Sequence, residues 1–168
     1  MTKNTHKSGG TLLAILFIIF TSTMINYNLL YILMFFLGAS FGSVLPDIDH
    51  EKAYISKRLP LLSKLIRSFT KHRGLTHSIL FVLFIYSLTI LSESNLINSW
   101  IIGIVVGCIS HILLDLITKE GVCLFYPIDK RISIGRVRTG SLVEGKINIL
   151  LNISNILLVI NIIKNIIF

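Results

Sequence analysis

Five apolar stretches, Thr11 to Ile25, Leu29 to Leu45, Leu75 to Leu91, Trp100 to Ile117 and Ile147 to Ile167, dominate the chain and limit what it can fold into. Each runs about 15 to 21 residues, near the length a helix needs to cross a hydrocarbon core of about 30 Å. The expected fold is therefore all-α: an integral membrane helical bundle of about five transmembrane helices, forming one membrane-embedded domain over residues 1–168. The first two stretches are short, so they either cross with little tilt, thin the bilayer locally, or form a hairpin that does not fully cross. Asn26-Tyr27-Asn28 reads as the tight turn between them.

Charge is scarce, at 14% of residues against 53% hydrophobic, whereas soluble domains carry roughly a quarter charged residues. The net charge of +8 does not imply nucleic acid, because the basic residues alternate with long uncharged runs instead of building one solvated face. No nucleic-acid partner is expected; membrane lipid, with anionic headgroups, is the simpler one. Cys108 and Cys123 have neither metal-ligand nor disulfide-framework spacing, and Cys108 reads as helix packing. Met1 to Gly10 followed by an apolar run resembles a signal peptide, but Met24, Ile25 and Asn26 stand where a small-residue cleavage site would lie, so the segment is expected to be retained.

Fifteen of the sixteen lysines and arginines fall before the first stretch, between the second and third, or between the fourth and fifth. Only Lys164 dissents. Because positive loops stay in the cytoplasm, the N-terminus is expected to be cytoplasmic in a multi-pass protein of the bacterial inner membrane. Between the second and third stretches, Ile55, Leu59, Leu62, Ile66 and Phe69 recur at helical spacing among Lys57, Arg58, Lys64, Arg67 and Lys71. That pattern predicts a cytoplasmic interfacial amphipathic helix, with Tyr54 as an anchor and Pro60 near its start. A merely solvated basic loop is the alternative.

The same side gathers the chemistry. All five histidines and seven of the eight carboxylates lie on it, leaving Glu93 opposite. Asp47, Asp49 and His50 end the second stretch; His72 and His77 open the third; His111 and Asp115 close the fourth; His6 precedes the first. His111 and Asp115, four residues apart, share a helix face, and an aspartate inside a membrane helix is costly unless it is paired or functional. Gly103 and Gly107 continue that face, as Gly38 and Gly42 lead towards Asp49, so the second and fourth helices should pack closely with their ends forming one wall of a site. Taken singly, Asp47, Asp49 and His50 could be polar caps of a helix end, and His72 and His77 could be interfacial phosphate contacts. Together they suit one or two divalent metal ions, zinc first, manganese or iron as alternatives.

The pieces Leu45-Pro46-Asp47-Ile48-Asp49-His50, His72-Arg73-Gly74-Leu75-Thr76-His77-Ser78 and Ser110-His111-Ile112-Leu113-Leu114-Asp115-Leu116-Ile117-Thr118, with His6 before them, Gly121 and Pro127 after, and Glu144 following Gly140-Ser141, resemble the YdjM-like family of bacterial inner-membrane proteins, described as membrane-bound metal-dependent hydrolases. The resemblance implies a hydrolase class and metal use. It implies no substrate.

A hydrolytic site on these residues would use Asp47, Asp49, His77, His111 and Asp115 as first metal ligands, with His6, His50 and His72 as further ligands or proton-transfer groups. Glu144 and His72 are the expected catalytic acid–base groups. Arg73, Arg136 and Arg138 could hold a phosphate, favouring a lipid phosphoester or other amphiphilic ester, or could simply contact headgroups. Two rivals remain: a divalent-cation transporter or sensor, which predicts donors near the bilayer midplane, and a nonenzymatic membrane adaptor, which leaves the His/Asp convergence without a cause.

Overall fold

The computed structural model describes residues 1–22 and 28–167. The end of the first apolar stretch and the turn expected at Asn26 and Tyr27 lie outside them, and Asn28 accepts a hydrogen bond from the Leu30 amide as the N-cap of the second helix. Among the described residues seven α-helices follow in order: α1 (Lys3–Ser22), α2 (Leu29–Gly42), α3 (Tyr54–Arg58), α4 (Pro60–Phe69), α5 (Ile79–Ser87), α6 (Asn95–Leu116) and α7 (Leu142–Ile167). Short 3-10 turns extend α2 through Leu45–Asp49, precede α5 at Leu75–His77 and follow it at Leu88–Leu91. Among the described residues there is no strand, only isolated bridges pairing Thr118 with Val137 and Val122 with Ile132.

Among the described residues, three segments are long and apolar enough to cross a membrane, Leu29–Asp49, Asn95–Leu116 and Leu142–Lys164, while Ile79–Leu91 is a shorter apolar helix. The expected α2/α6 contact is the centre of the bundle. A Cβ on Gly38 would stand 2.1 Å from the Trp100 carbonyl, and one on Gly42 2.2 Å from that of Ile104. From the other side, a Cβ on Gly103 would stand 2.1 Å from the Phe35 carbonyl and one on Gly107 2.3 Å from that of Ala39. Backbone touches backbone, which only glycine permits. Ala14, Phe35, Ala39 and Val106 fill one apolar cluster beside this crossing, and Val44, Leu45, Ile48, Ile55, Ile104 and Cys108 another. Cys108 is thus a packing residue.

Helix α7 attaches differently. Its apolar side chains Ile149, Leu150, Ile156 and Leu157 are exposed, and its hold on α1 is polar: the Ser8 hydroxyl lies 2.9 Å and 3.0 Å from the side-chain oxygens of Asn148 and Asn152, and Asn155 donates to the Ser8 carbonyl. Such amide contacts tie helices together where no water competes.

The region expected to form a single amphipathic helix is two helices. Leu59 breaks them at φ −124°, ψ 62°, because the residue before a proline is pushed out of the helical region. The Ser56 and Ser63 hydroxyls face inward and donate to the Ile48 carbonyl. That clamps α3 and α4 onto the turn carrying Asp47 and Asp49, and leaves Leu61, 86% exposed, and Phe69, 75% exposed, facing outward with the lysines and arginines.

Candidate metal centre

Proline sets the site's first wall. Pro46 ends α2, since it lacks an N–H to continue the ladder, and the chain tightens into the Leu45–Asp49 turn. The last carbonyls of a helix have no internal partner; the Ser43 carbonyl finds one in His111 Nδ1, 2.8 Å away. Donating Nδ1–H to that carbonyl leaves the His111 Nε2 lone pair free, and it faces His77 Nε2 at 3.2 Å. Two ring nitrogens at that distance need a proton or a cation between them.

Carboxylates complete the group. Asp47 Oδ1 lies 3.7 Å from His77 Nε2 and 3.6 Å from His111 Nε2, and Asp115 Oδ2 lies 3.8 Å and 3.9 Å from the same two atoms. One donor atom from each of Asp47, His77, His111 and Asp115 falls within 4.8 Å of all the others. Tetrahedral bonds of about 2.0–2.1 Å to a divalent ion put ligand atoms roughly 3.4 Å apart, so the spacing fits. The cluster could hold a metal ion. His77, His111 and Asp115 are buried, and Asp47 is partly open.

Behind the four donors stands a second layer. Asp49 is buried and accepts from the Thr76 hydroxyl at 2.6 Å and the Arg73 amide at 2.9 Å, while pairing with His72 Nδ1 at 2.7 Å. Its Oδ2 also lies 3.5 Å from His77 Nδ1. The structure therefore places Asp49 as the carboxylate orienting a ligand imidazole, an arrangement that raises ligand basicity. Asp49→Asn, which keeps the shape and removes the charge, is expected to weaken metal affinity about 10- to 100-fold; titration with a competing chelator measures it.

Arg73 holds the His-Arg-Gly corner with φ at +64°, a left-handed conformation uncommon for a residue with a Cβ. The corner is held on every side: the Arg73 amide by Asp49, its carbonyl by the Cys123 amide, and its guanidinium by Asp115 Oδ2 at 3.1 Å, Glu120 at 3.2 Å, Thr118 and the Gly121 carbonyl. Those partners occupy the group that sequence reasoning offered to a phosphate. Arg136 and Arg138 are exposed on the later loop.

His6 is fully buried and stacks on His111, with ring centroids 3.7 Å apart and planes 7° from parallel. Its Nε2 lies 3.4 Å from Asp115 Oδ1, yet neither ring nitrogen has a hydrogen-bond partner. An orphaned imidazole beside a carboxylate is what a second or fifth ligand needs. Asp115 Oδ1 also accepts from the Met1 amino group at 2.6 Å.

His50 and His72 sit apart from the four donors, their rings 4.6 Å from one another, and His72 is 5.7 Å from the His77 ring. Glu144 is engaged elsewhere. Its Oε1 accepts from the Thr2 amide at 2.5 Å and the Thr5 hydroxyl at 2.9 Å, and its Oε2 from the Gly140 amide at 2.6 Å. The Ser141-x-x-Glu144 spacing is that of a capping box at the start of α7: the Ser141 hydroxyl accepts from the Glu144 amide, while the Glu144 carboxylate reaches back one residue further, to the Gly140 amide. That motif was the available signal for a latch rather than a base. Glu144→Ala is expected to cost about 1–3 kcal/mol, because buried amide donors lose their acceptor; thermal unfolding in detergent checks it.

Thr76 and the Ser43 carbonyl are site parts that sequence reasoning missed. Nothing marks Thr76, whereas Pro46 was a usable sign of freed carbonyls just before it.

A family model described as YdjM inner membrane protein matches residues 1–165. YvsG of Bacillus subtilis (strain 168) is 33% identical over 147 residues, covering 86% of this chain and 85% of the relative. The inner membrane protein YdjM of Escherichia coli (strain K12) is 40% identical over 90 residues, covering 50% of this chain and 44% of that longer relative. No solved structure matches.

Proposed function

The chain belongs to the YdjM inner membrane protein family, and from that membership and the donor cluster we propose that it is a metal-dependent hydrolase working at the polar end of a membrane-embedded bundle. The observation that carries the reading is the quartet Asp47, His77, His111 and Asp115, gathered from three separate segments into one group of three buried members and the partly open Asp47. A transporter would need donors continuing across the bilayer; here they stop at one end. Two imidazoles and two carboxylates suit zinc, with manganese or iron as alternatives, and His6 offers a further donor for a second ion.

Asp47, His77, His111 and Asp115 would hold a divalent ion, which would supply Lewis acidity for an ester oxygen and for water near neutral pH. Asp47, the partly open member, lines the cavity above the site. His72 lines the same cavity and bonds Asp49 through Nδ1, which leaves Nε2 as the atom that exchanges a proton with substrate or water. The substrate is an amphiphilic ester from the membrane. Helices α3 and α4, with Leu61, Leu65 and Phe69 outward beside Lys57, Arg58, Lys64 and Lys71, lie in the headgroup layer. Basic residues concentrate at this end, which supports a cytoplasmic N-terminus in this reading, with α1, α2, α5, α6 and α7 as the five membrane-embedded segments.

Hydrolysis of bacterial lipid extract by the purified chain tests the reading. Activity is expected that disappears with chelator and returns with added divalent ion. His72→Ala is expected to lose about 10²- to 10⁴-fold in rate while keeping its metal, the scale of one acid–base group. Absence of chelator-sensitive release of phosphate or fatty acid, from protein shown to contain metal, would count against an enzyme.

A further inference from the structure

A cavity of about 470 Å³ stands over the open edge of the metal centre, within the size range of small-ligand sites. Asp47, Lys3, Lys52, Tyr54, His50 and His72 line it, and so does the Arg73–Glu120 ion pair, whose charges offset one another. Lys3 comes from α1, Lys52 from the turn after the Asp47 segment, and Tyr54 from the start of α3. Three chain regions thus bring cations and an aromatic ring to one opening.

The lysines are uncommitted. Among the described residues, neither Lys3 nor Lys52 pairs with a carboxylate, whereas the guanidinium of Arg73 is taken by Asp115 and Glu120. Lys3 Nζ rests 4.0 Å from the centre of the Tyr54 ring, which holds the ammonium over the cavity without neutralising it. Lys7 and Arg58 approach the same ring at 6.0 Å and 5.4 Å. An unneutralised ammonium pair beside a cation-binding centre attracts a doubly charged anion, and lysine is a common point-charge partner of phosphate.

We propose that this cavity is a phosphate-binding subsite, in which Lys3 and Lys52 hold the phosphate of the substrate against the metal centre, rather than the three arginines singled out in the sequence. The inference rests on the hydrolase reading for the word substrate, but the anion site itself does not. The phosphate could come from a lipid headgroup or from a free phosphate compound, and both present the same oxygens.

Binding of two probes to the full chain in zwitterionic nanodiscs separates these possibilities: inorganic phosphate in solution, and phosphatidate added to the disc. Metal content is measured on the same samples. The Lys3→Gln/Lys52→Gln double variant is expected to lose about tenfold or more in affinity for at least one probe, the size of one charge-assisted hydrogen bond, with metal content unchanged. A double variant of exposed lysines outside the cavity, Lys119→Gln/Lys130→Gln, is expected to bind like the unsubstituted chain. Lysine-dependent binding of phosphatidate alone supports a lipid source, and of inorganic phosphate, a soluble one. Equal losses in both double variants, or no binding of either probe, would overturn the subsite while leaving a measured metal intact. Lysine-dependent binding by protein that holds no metal would uphold the subsite and remove the hydrolase reading instead.

Discussion

His111→Ala is expected to lower divalent-metal affinity by more than about 100-fold, beyond the 10- to 100-fold range of a supporting residue. Three effects coincide at this side chain. Its Nε2 is one of the four donors, its ring covers the buried His6, and its Nδ1–H satisfies the Ser43 carbonyl. Removal deletes a ligand, opens space beside His6 and leaves a helix-end carbonyl without a partner. His111→Gln provides the contrast, since an amide can restore the bond to Ser43 without supplying an imidazole. Metal analysis after dialysis against a graded chelator, on both variants and on His50→Ala as a histidine outside the quartet, gives the comparison. Unchanged affinity in His111→Ala would contradict the ligand assignment.

The second large effect needs no ligand change. Gly103→Ala and Gly107→Ala are each expected to destabilise by about 1–3 kcal/mol, the usual cost of overpacking, because each new Cβ meets the backbone of α2 and not a side chain that can turn aside. The backbones must separate. Since α6 carries His111 and Asp115 and α2 leads into Asp47, separation also pulls the donors apart, so metal affinity falls together with stability. Gly145→Ala is the control: nothing lies within 4 Å of its Cβ position, and alanine in a helix is neutral or stabilising. Thermal unfolding followed by the fluorescence of Trp100, which packs against Phe41 at the crossing, reads the loss. Equal stability of the Gly103, Gly107 and Gly145 variants would show that the crossing is looser than described.

Apolar runs and glycine spacing made the bundle legible, because in lipid a helix must satisfy its own backbone and close helix contacts need small residues. The His/Asp pattern made the quartet legible for the same reason: polar groups at one membrane depth have few places to go. Three features did not follow from pattern. The split of α3 from α4 depends on Leu59 standing before Pro60, where local sterics override an unbroken hydrophobic period. The role of Asp49 depends on direction: two aspartates two residues apart in a 3-10 turn point to different neighbours, so Asp47 joins the candidate metal cluster and Asp49 supports His77 and His72. Arg73 looked like an anion receptor, yet the left-handed corner at its own backbone turns the guanidinium inward to Asp115.

Glu144 shows how a carboxylate with a plausible reactive role can be structural. Two of its acceptor contacts fasten Thr2 and Thr5 to the start of α7 and a third takes the Gly140 amide, and α1 is thereby held where His6 reaches Asp115. Metal affinity in Glu144→Gln is expected to fall less than in His111→Ala, since no donor of the quartet is lost.

X-ray absorption spectroscopy of the metal-loaded chain asks most directly whether the four side chains surround one cation. The expected spectrum contains scattering from two imidazole rings and from oxygen at about 2.0–2.1 Å for zinc, with one ring lost in His77→Ala. A spectrum showing oxygen ligands alone, or unchanged by His77→Ala, would contradict a centre built from Asp47, His77, His111 and Asp115.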